Sequence, residues 1–541
     1  MARFATNVPP TDPIFDAARS SLVPAPIDHE AIVVGAGFGG LGAAIELKRL
    51  GIDDLVILER ASGVGGTWHA NRYPGVAVDI ASATYSFSFE PNPDWTRIYA
   101  PGSELKAYAE HVADKYDLAR HVQLDVEVLG AAWDDIHQRW AVELADGPTL
   151  TARYLVVATG ILSQPRKPAI PGIDDFAGKV LYTSSWPESD RLTAERVAVI
   201  GTGATAVQVV PELAAHAASV AVFQRTPIWV TPKPDLPIPR PVREVFRRVP
   251  ATQRAARYAN AAFIEYIGLG LVAFERAPWI LESLETVSKA HLRLQVRDRA
   301  TREALTPDYN FFCKRPTFSN SYYKAFNHDH VDLVAAPIDH IDSCAVITED
   351  GKRREIDTLV LATGFHLQEE GNFPAFPVRG RDGVELGARW REHGYESYEG
   401  ITVNGYPNLF CLTSPFSFTG LSFFYQAESQ MAHMARVITE LRRRHSVTFE
   451  VKPHAQNRFV KQMDAKVEHS LWAHGDCASA NSYYFNADGA TRLGRLEPTV
   501  IVKWRSTHFP LADYRFETVT DPAVRQAARA DAPPIPAAAK R

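Results

Sequence analysis

Two glycine-rich turns of one pattern stand 166 positions apart in this chain, Gly35-Ala36-Gly37-Phe38-Gly39-Gly40 and Gly201-Thr202-Gly203-Ala204-Thr205-Ala206. Each follows a short apolar, β-branched run (Ala31 to Val34; Val197 to Ile200) and opens a helical pattern. That strand, turn and helix context makes the G-x-G-x-x-G spacing informative. The glycines let the backbone turn sharply and approach a pyrophosphate, which then rests on the positive N-terminus of the following helix. Both turns therefore read as dinucleotide sites, through Gly35, Gly37 and Gly40 in the first and Gly201, Thr202, Gly203, Ala204 and Thr205 in the second.

The residue that would read each ribose differs. Twenty-four positions past Gly35, Glu59 ends the run Leu55 to Leu58, placed to accept hydrogen bonds from a free 2′-hydroxyl, as FAD or NAD would offer. At the same offset from Gly201 the chain reads Gln224-Arg225-Thr226. A guanidinium there binds a 2′-phosphate that a carboxylate would repel, which points to NADPH. A chain with both sites is most simply a flavin oxidoreductase.

The predicted fold class is α/β, with two Rossmann-like dinucleotide-binding domains. Near copies of a buried strand ending in Ala-Thr-Gly (Tyr154 to Gly160; Thr358 to Gly364) each belong beside one turn. Between about Asp235 and Phe312 strand signals give way to an Arg- and Ala-rich helical pattern, an insertion in the second domain. The expected division is 1–163 with 373–541 for a discontinuous FAD domain, 164–234 with 314–372 for the NADPH domain, and 235–313 for the insertion.

With 541 residues, 46% of them hydrophobic, the chain is long enough for two or three domains. A formal net charge of −5 and no long basic run argue against nucleic acid. Cys313, Cys344, Cys411 and Cys477 are scattered, with no C-x-x-C, no metal spacing and no disulfide framework. No metal site and a reducing cytoplasm are the expectation, and the two-cysteine centre of a flavin disulfide reductase is excluded. Residues 1–27 read as a surface arm without a signal peptide's layout, and Ala532 to Arg541 as a disordered tail. Tyr266 to Phe274, the most apolar stretch, is too short to span a membrane and reads as a buried helix, with peripheral membrane contact as the second reading.

After Glu59 comes Gly63-Val64-Gly65-Gly66-Thr67-Trp68, then Tyr73-Pro74-Gly75 and Asp79. Gly66 allows close backbone approach to a flavin, Thr67 stands beside it, and Trp68 offers a flat face. A plain closing loop would explain the glycines but not the whole set. Here the sequence resembles the type I Baeyer–Villiger monooxygenases within the class B flavoprotein monooxygenases, over most of its length. The family's fingerprint, F-x-G-x-x-x-H-x-x-x-W-P or W-D, has its counterpart in Phe176 to Pro187, with Tyr182 where the family has His. A phenol keeps a hydrogen-bond donor there but not the near-neutral titration of an imidazole.

The resemblance also covers Cys313-Lys314-Arg315-Pro316. It implies Arg315 as the catalytic residue, oriented by Asp79, and Lys314 as a contact of the NADPH 2′-phosphate beside Arg225 and Thr226. The implied reaction, with FAD, NADPH and O2 and through a C4a-peroxyflavin, inserts one oxygen beside a ketone carbonyl to give an ester or lactone. The alternatives are a class B N- or S-oxygenating enzyme acting on an amine or sulfide, an NADPH oxidase or flavin reductase, and a catalytically silent flavoprotein. Ser414 to Leu421 resembles the family's substrate loop in placement or is plain core. Ala480-Asn481-Ser482-Tyr483-Tyr484 has no match to the family's Trp-bearing segment over NADP. Oligomeric state is not legible in the sequence.

Overall fold

The computed structural model describes residues 26–187, 191–367, 374–418, 422–486 and 489–518. The expected N-terminal arm, up to residue 25, the C-terminal tail and Thr419 to Leu421 of the substrate loop lie outside the described residues.

The apolar runs before the glycine turns form parallel strands at the heart of two sheets. Strand β1 (His29–Val34) leads through helix α1 (Phe38–Arg49) to β2 (Leu55–Leu58), and β1 lies between β2 and β3 (Leu150–Val157) in an eight-stranded sheet. Alternate residues of β1 feed two cores, Ala31 and Val33 on one face and Ile32 and Val34 on the other. Burial of both faces is why this run is continuously apolar. Gly51 follows α1 with φ of +77°, the left-handed residue that stops the helix.

The second sheet is parallel throughout. Its strands are β4 (Lys179–Tyr182), β5 (Arg196–Ile200), β6 (Ser219–Phe223), β7 (Val331–Val334) and β8 (Thr358–Leu361), in the order β7-β6-β5-β8-β4. Helix α2 (Ala204–His216) follows β5. Val197 and Val199 of β5 enter one core, Ala198 and Ile200 the other. Both Ala-Thr-Gly strands thus take their expected places, β3 beside β1 and β8 beside β5.

Four helices occupy the predicted helical stretch: α3 (Arg240–Arg248), α4 (Pro250–Val272), α5 (Trp279–Gln295) and α6 (Arg299–Ala304). After residue 374 the chain returns to the first sheet, where Val378–Arg379 pairs with Val128–Asp134 and Leu409–Cys411 with β3. Helix α7 (Phe423–Arg443) then packs on α1, at Gly42, where an added Cβ would come 3.1 Å from Met431 Sδ.

Two sequence expectations are corrected. Cys313 and Cys477, 164 positions apart, form a disulfide, with Cα atoms 5.1 Å apart. Tertiary folding alone brings them together, so no spacing announces the pair. Tyr266 to Phe274 is helical down to Val272, but it is not a buried helix: Tyr266 and Leu269 are each 46% exposed.

The first turn is the tightest point of the first sheet. A Cβ on Gly40 would stand 1.8 Å from the Gly35 carbonyl oxygen. Gly40→Ala is therefore expected to cost about 1–3 kcal/mol by overpacking and to weaken flavin retention. Thermal unfolding with parallel flavin absorbance checks this; an unchanged melting temperature and flavin content would contradict it.

Candidate active site

In the first turn Gly35 has φ of +106°, and an added Cβ would lie 2.6 Å from the Ala158 carbonyl oxygen. Gly37 caps α1 with no side-chain hydrogen bond. Gly35 and Gly40 leave no room for a side chain, and the N-terminus of α1 offers the free N–H groups on which a pyrophosphate can rest. Buried Glu59, just past β2, accepts from the Ala36 N–H at 2.7 Å and from the Ala61 N–H at 2.9 Å. Gly66, with φ of +55°, brings its loop against the turn, an added Cβ lying 3.0 Å from Gly37 Cα. Thr67 begins the short helix Thr67–Ala70, and the Trp68 indole donates to the Tyr85 hydroxyl at 3.3 Å.

The second turn repeats the geometry. Gly201 has φ of +112°, and its Cβ would meet the Ala362 carbonyl oxygen at 2.4 Å. A Cβ on Gly203 would find nothing within 4 Å, so the turn borders open space that a bound group can fill. Thr202 donates to the Thr226 carbonyl at 2.8 Å, and Ala204 and Thr205 form the first turn of α2. The Arg225 side chain is exposed beside half-buried Lys314. Burial, with the neighbouring Arg225 charge, pushes the Lys314 ammonium down to about 8. These residues fit two dinucleotides, one beside the Glu59 carboxylate and one beside two cations.

Between the turns, the loop from Tyr73 to Asp79 ties the two sheets together. The Tyr73 hydroxyl donates to Gln208 Oε1 on α2 at 2.9 Å, and Gln208 Nε2 donates to the Ala77 carbonyl at 2.9 Å. At Gly75, with φ of +80°, the loop comes so close to α2 that a Cβ would lie 2.7 Å from the Gln208 carbonyl oxygen. This loop delivers Asp79, whose Oδ2 accepts from Arg315 Nε at 2.8 Å. Burial alone would raise the Asp79 carboxyl, but the Arg315 charge and hydrogen bond hold it below the usual carboxylate range. Both side chains keep some accessible surface, 25% for Arg315 and 30% for Asp79, so the pair lines open space instead of closing a core.

The C-terminal segment that matched nothing in the sequence reading arrives at this pair. The Asn481 amide donates to the Thr226 hydroxyl at 2.9 Å, and the phenols of Tyr483 and Tyr484 lie in the electrostatic field of Arg315. Phe418 lies 5.9 Å under the guanidinium and packs against Tyr484. The Cys313–Cys477 bond fastens this segment to the residue before Lys314 and Arg315. Asn481 and Tyr484 were thus missed as site residues; the one local signal was a polar, aromatic cluster close after a cysteine.

The fingerprint segment supplies an edge strand. Tyr182 pairs in register with Leu361 of β8, and its ring packs on the cluster containing Phe176, Ile200 and Leu361. Gly178 has no room for a side chain, since its Cβ would fall 2.5 Å from the Asp357 carbonyl oxygen, and Trp186 is buried in the core against α2. The following turn, Thr183–Ser185, lies beside Thr67–Ala70 of the first unit.

Comparison with known proteins agrees with this geometry. Residues 32–261 match the family model described as pyridine nucleotide-disulphide oxidoreductase. A Baeyer-Villiger monooxygenase of Pseudomonas aeruginosa is 36% identical over 527 residues, covering 96% of this chain and 98% of the relative. One from Streptomyces coelicolor is 38% identical over 495 residues, 90% and 93% of the two chains. Among solved structures, an oxidized steroid monooxygenase bound to NADP superposes with a TM-score of 0.81 at 30% identity, over 91% of this chain and 100% of that one. The OTEMO complex with FAD and NADP gives 0.80 at 27% identity, over 91% and 99%. With two glycine turns of dinucleotide-binding geometry, and with relatives of this likeness along nearly its whole length, the chain belongs to the Baeyer–Villiger monooxygenases, FAD- and NADPH-dependent flavoproteins.

Proposed function

We propose that Arg315 and Asp79 are the catalytic pair of an oxygenation that inserts one atom of O2 beside a ketone carbonyl. The observation that carries this reading is the 2.8 Å ion pair, partly exposed on both sides, between the loop packed on α2 and the residues just after the helical stretch. When bound, FAD reduced by NADPH supplies the oxygen activation, a chemistry that the side chains lack. Gly35, Gly37, Gly40, Glu59, Gly66, Thr67 and Trp68 would hold FAD. Gly201, Thr202, Gly203, Ala204, Thr205, Arg225, Thr226 and Lys314 would hold NADPH.

Arg315 presents a fixed cation where negative charge gathers on oxygen, including the carbonyl oxygen as its double bond is lost. Asp79 keeps that cation aimed and balances it when no anion is present. Tyr484, Phe418 and the segment tethered by Cys477 limit water around it, which strengthens the field of the charge. The division at 163/164, 234/235, 313/314 and 372/373 belongs to the same proposal, supported by the membership of the two sheets. No helix among the described residues is long and apolar enough to cross a membrane. A cytoplasmic location is also part of the proposal, tested by fractionating cells that express the chain.

Arg315→Ala tests the catalytic assignment. NADPH consumption should persist while ester formation falls at least a hundredfold, the loss of about 2.7–4 kcal/mol typical of a missing oxyanion donor, and hydrogen peroxide should become the main product. Chromatography of products from ketones and sulfides, with peroxide measured in parallel, reads the outcome. Near wild-type ester formation by the variant removes Arg315 from the chemistry; a wild-type enzyme that oxidises only sulfides overturns the ketone reading.

The 2′-phosphate site of NADPH makes a second prediction. Arg225→Ala should raise the KM for NADPH about tenfold to a hundredfold, as for one charged hydrogen bond, and leave that for NADH unchanged. Because Lys314 is pushed down to about 8, its charge is present below that pH and is lost as pH rises through it. The ratio of KM for NADPH to KM for NADH should therefore climb above about pH 8, and Lys314→Arg should flatten the climb, since a guanidinium stays charged. A ratio independent of pH in the wild type would contradict the assignment.

A further inference from the structure

Helix α4 turns its polar side to the protein and its apolar side to solvent. Inward, Gln253 donates to the Asn92 carbonyl at 2.6 Å and Arg257 to the Ser86 carbonyl at 2.8 Å, while Asn260 accepts from the Thr84 hydroxyl at 2.9 Å. Outward stand Tyr258 (69% exposed), Phe263 (59%), Tyr266 and Leu269, with the exposed Trp279 ring 6.3 Å from that of Tyr266. Single exposed apolar residues are ordinary, but a continuous stripe along a helix marks a surface that another body covers. Rotating the helix to hide the stripe would orphan the inward hydrogen bonds, so the orientation is fixed.

We propose that α4 pairs antiparallel with α4 of a second copy of this chain, about a twofold axis near Ala262. Ala255, Ala259, Ala262, Tyr266 and Leu269 are spaced 4, 3, 4 and 3 positions apart, the spacing of a helix along which another helix lies. The small residues come first and the large ones last. About that axis an antiparallel copy sets Leu269 level with Ala255, and Tyr266 level with Tyr258 beside Ala259, so the bulky end of one helix lies along the smaller end of the other. A parallel copy would stack Leu269 on Leu269.

Charge agrees with the antiparallel copy. Arg240, Arg243 and Arg254 lie toward the first half of the stripe, and Glu265, Glu275 and Glu282 toward the second. Antiparallel pairing lays the basic end of one copy along the acidic end of the other. It also keeps the two Arg254 residues about 24 Å apart along the helix axis, beyond the screening length at physiological salt. The five exposed side chains offer on the order of 500 Å² per copy, so the rest of a stable contact of about 800 Å² must come from flanking residues. One flank is the N-terminus of the helix Thr499–His508, where the Thr499 N–H donates to Glu265 of α4 at 2.7 Å and Val500 is 71% exposed.

Sedimentation equilibrium of the full chain with FAD bound should show a dimer at micromolar concentration. Tyr266→Glu should raise its dissociation constant at least tenfold with flavin content unchanged. Ala262→Cys, on the axis, should give disulfide-linked dimers on mild oxidation, which the wild type with its exposed Cys344 should not; this holds the proposal to account even if Tyr266→Glu fails to fold. A monomer at every concentration overturns it, as does a dimer that ignores Tyr266→Glu while Ala262→Cys stays uncrosslinked. A monomer that floats with phosphatidylglycerol vesicles would assign the stripe to a membrane surface and equally overturn it.

Discussion

The ion pair between Asp79 and Arg315 is the contact on which the arrangement of the site depends. Asp79 arrives on the loop that follows Glu59, and Arg315 follows the helical stretch α3 to α6. Each charge is only partly exposed and is balanced by the other, so the pair links the loop that carries Asp79 to the segment that carries Arg315. Other contacts serve the same alignment. Gln208 grips Tyr73 and Ala77, which keeps Asp79 in place from the side of α2. The Cys313–Cys477 bond holds the residue two places before Arg315 and anchors the segment that brings Tyr484 to the guanidinium.

Much of this was legible because it is local. The glycine turns, their flanking strands and the positions of Glu59 and Arg225 just past the next strand are set by one strand–turn–helix geometry, so sequence spacing carries them. Asp79 and Arg315 were named through resemblance, since nothing in a sequence separation of 236 signals their contact. The disulfide was not legible for the same reason: Cys313 and Cys477 meet only after the insertion and the C-terminal segment have folded onto one another. Hydropathy misled at Tyr266 to Phe274, because an apolar run states that a surface wants cover without stating what covers it. The better signal was the period of Gln253, Arg257 and Asn260, a polar face that the fold turns inward.

Tyr182 shows how a departure from a family pattern is absorbed. In the sheet its backbone pairs with Leu361, and its ring fills a hydrophobic cluster, roles that a phenol meets at least as well as an imidazole. The segment sets the edge of the second sheet and places Thr183–Ser185 beside the Thr67–Ala70 helix.

The central claim, that Arg315 acts as a cation aimed by Asp79, is tested most directly by a double-mutant cycle read on the rate of ester formation. Asp79→Asn and Arg315→Lys each remove part of one charged contact and leave the nucleotide turns intact. If the two residues act as a unit, the double variant should be about as impaired as the worse single one, a coupling well above the roughly 0.5 kcal/mol seen between independent sites. Losses that multiply as though the residues were independent would contradict the account.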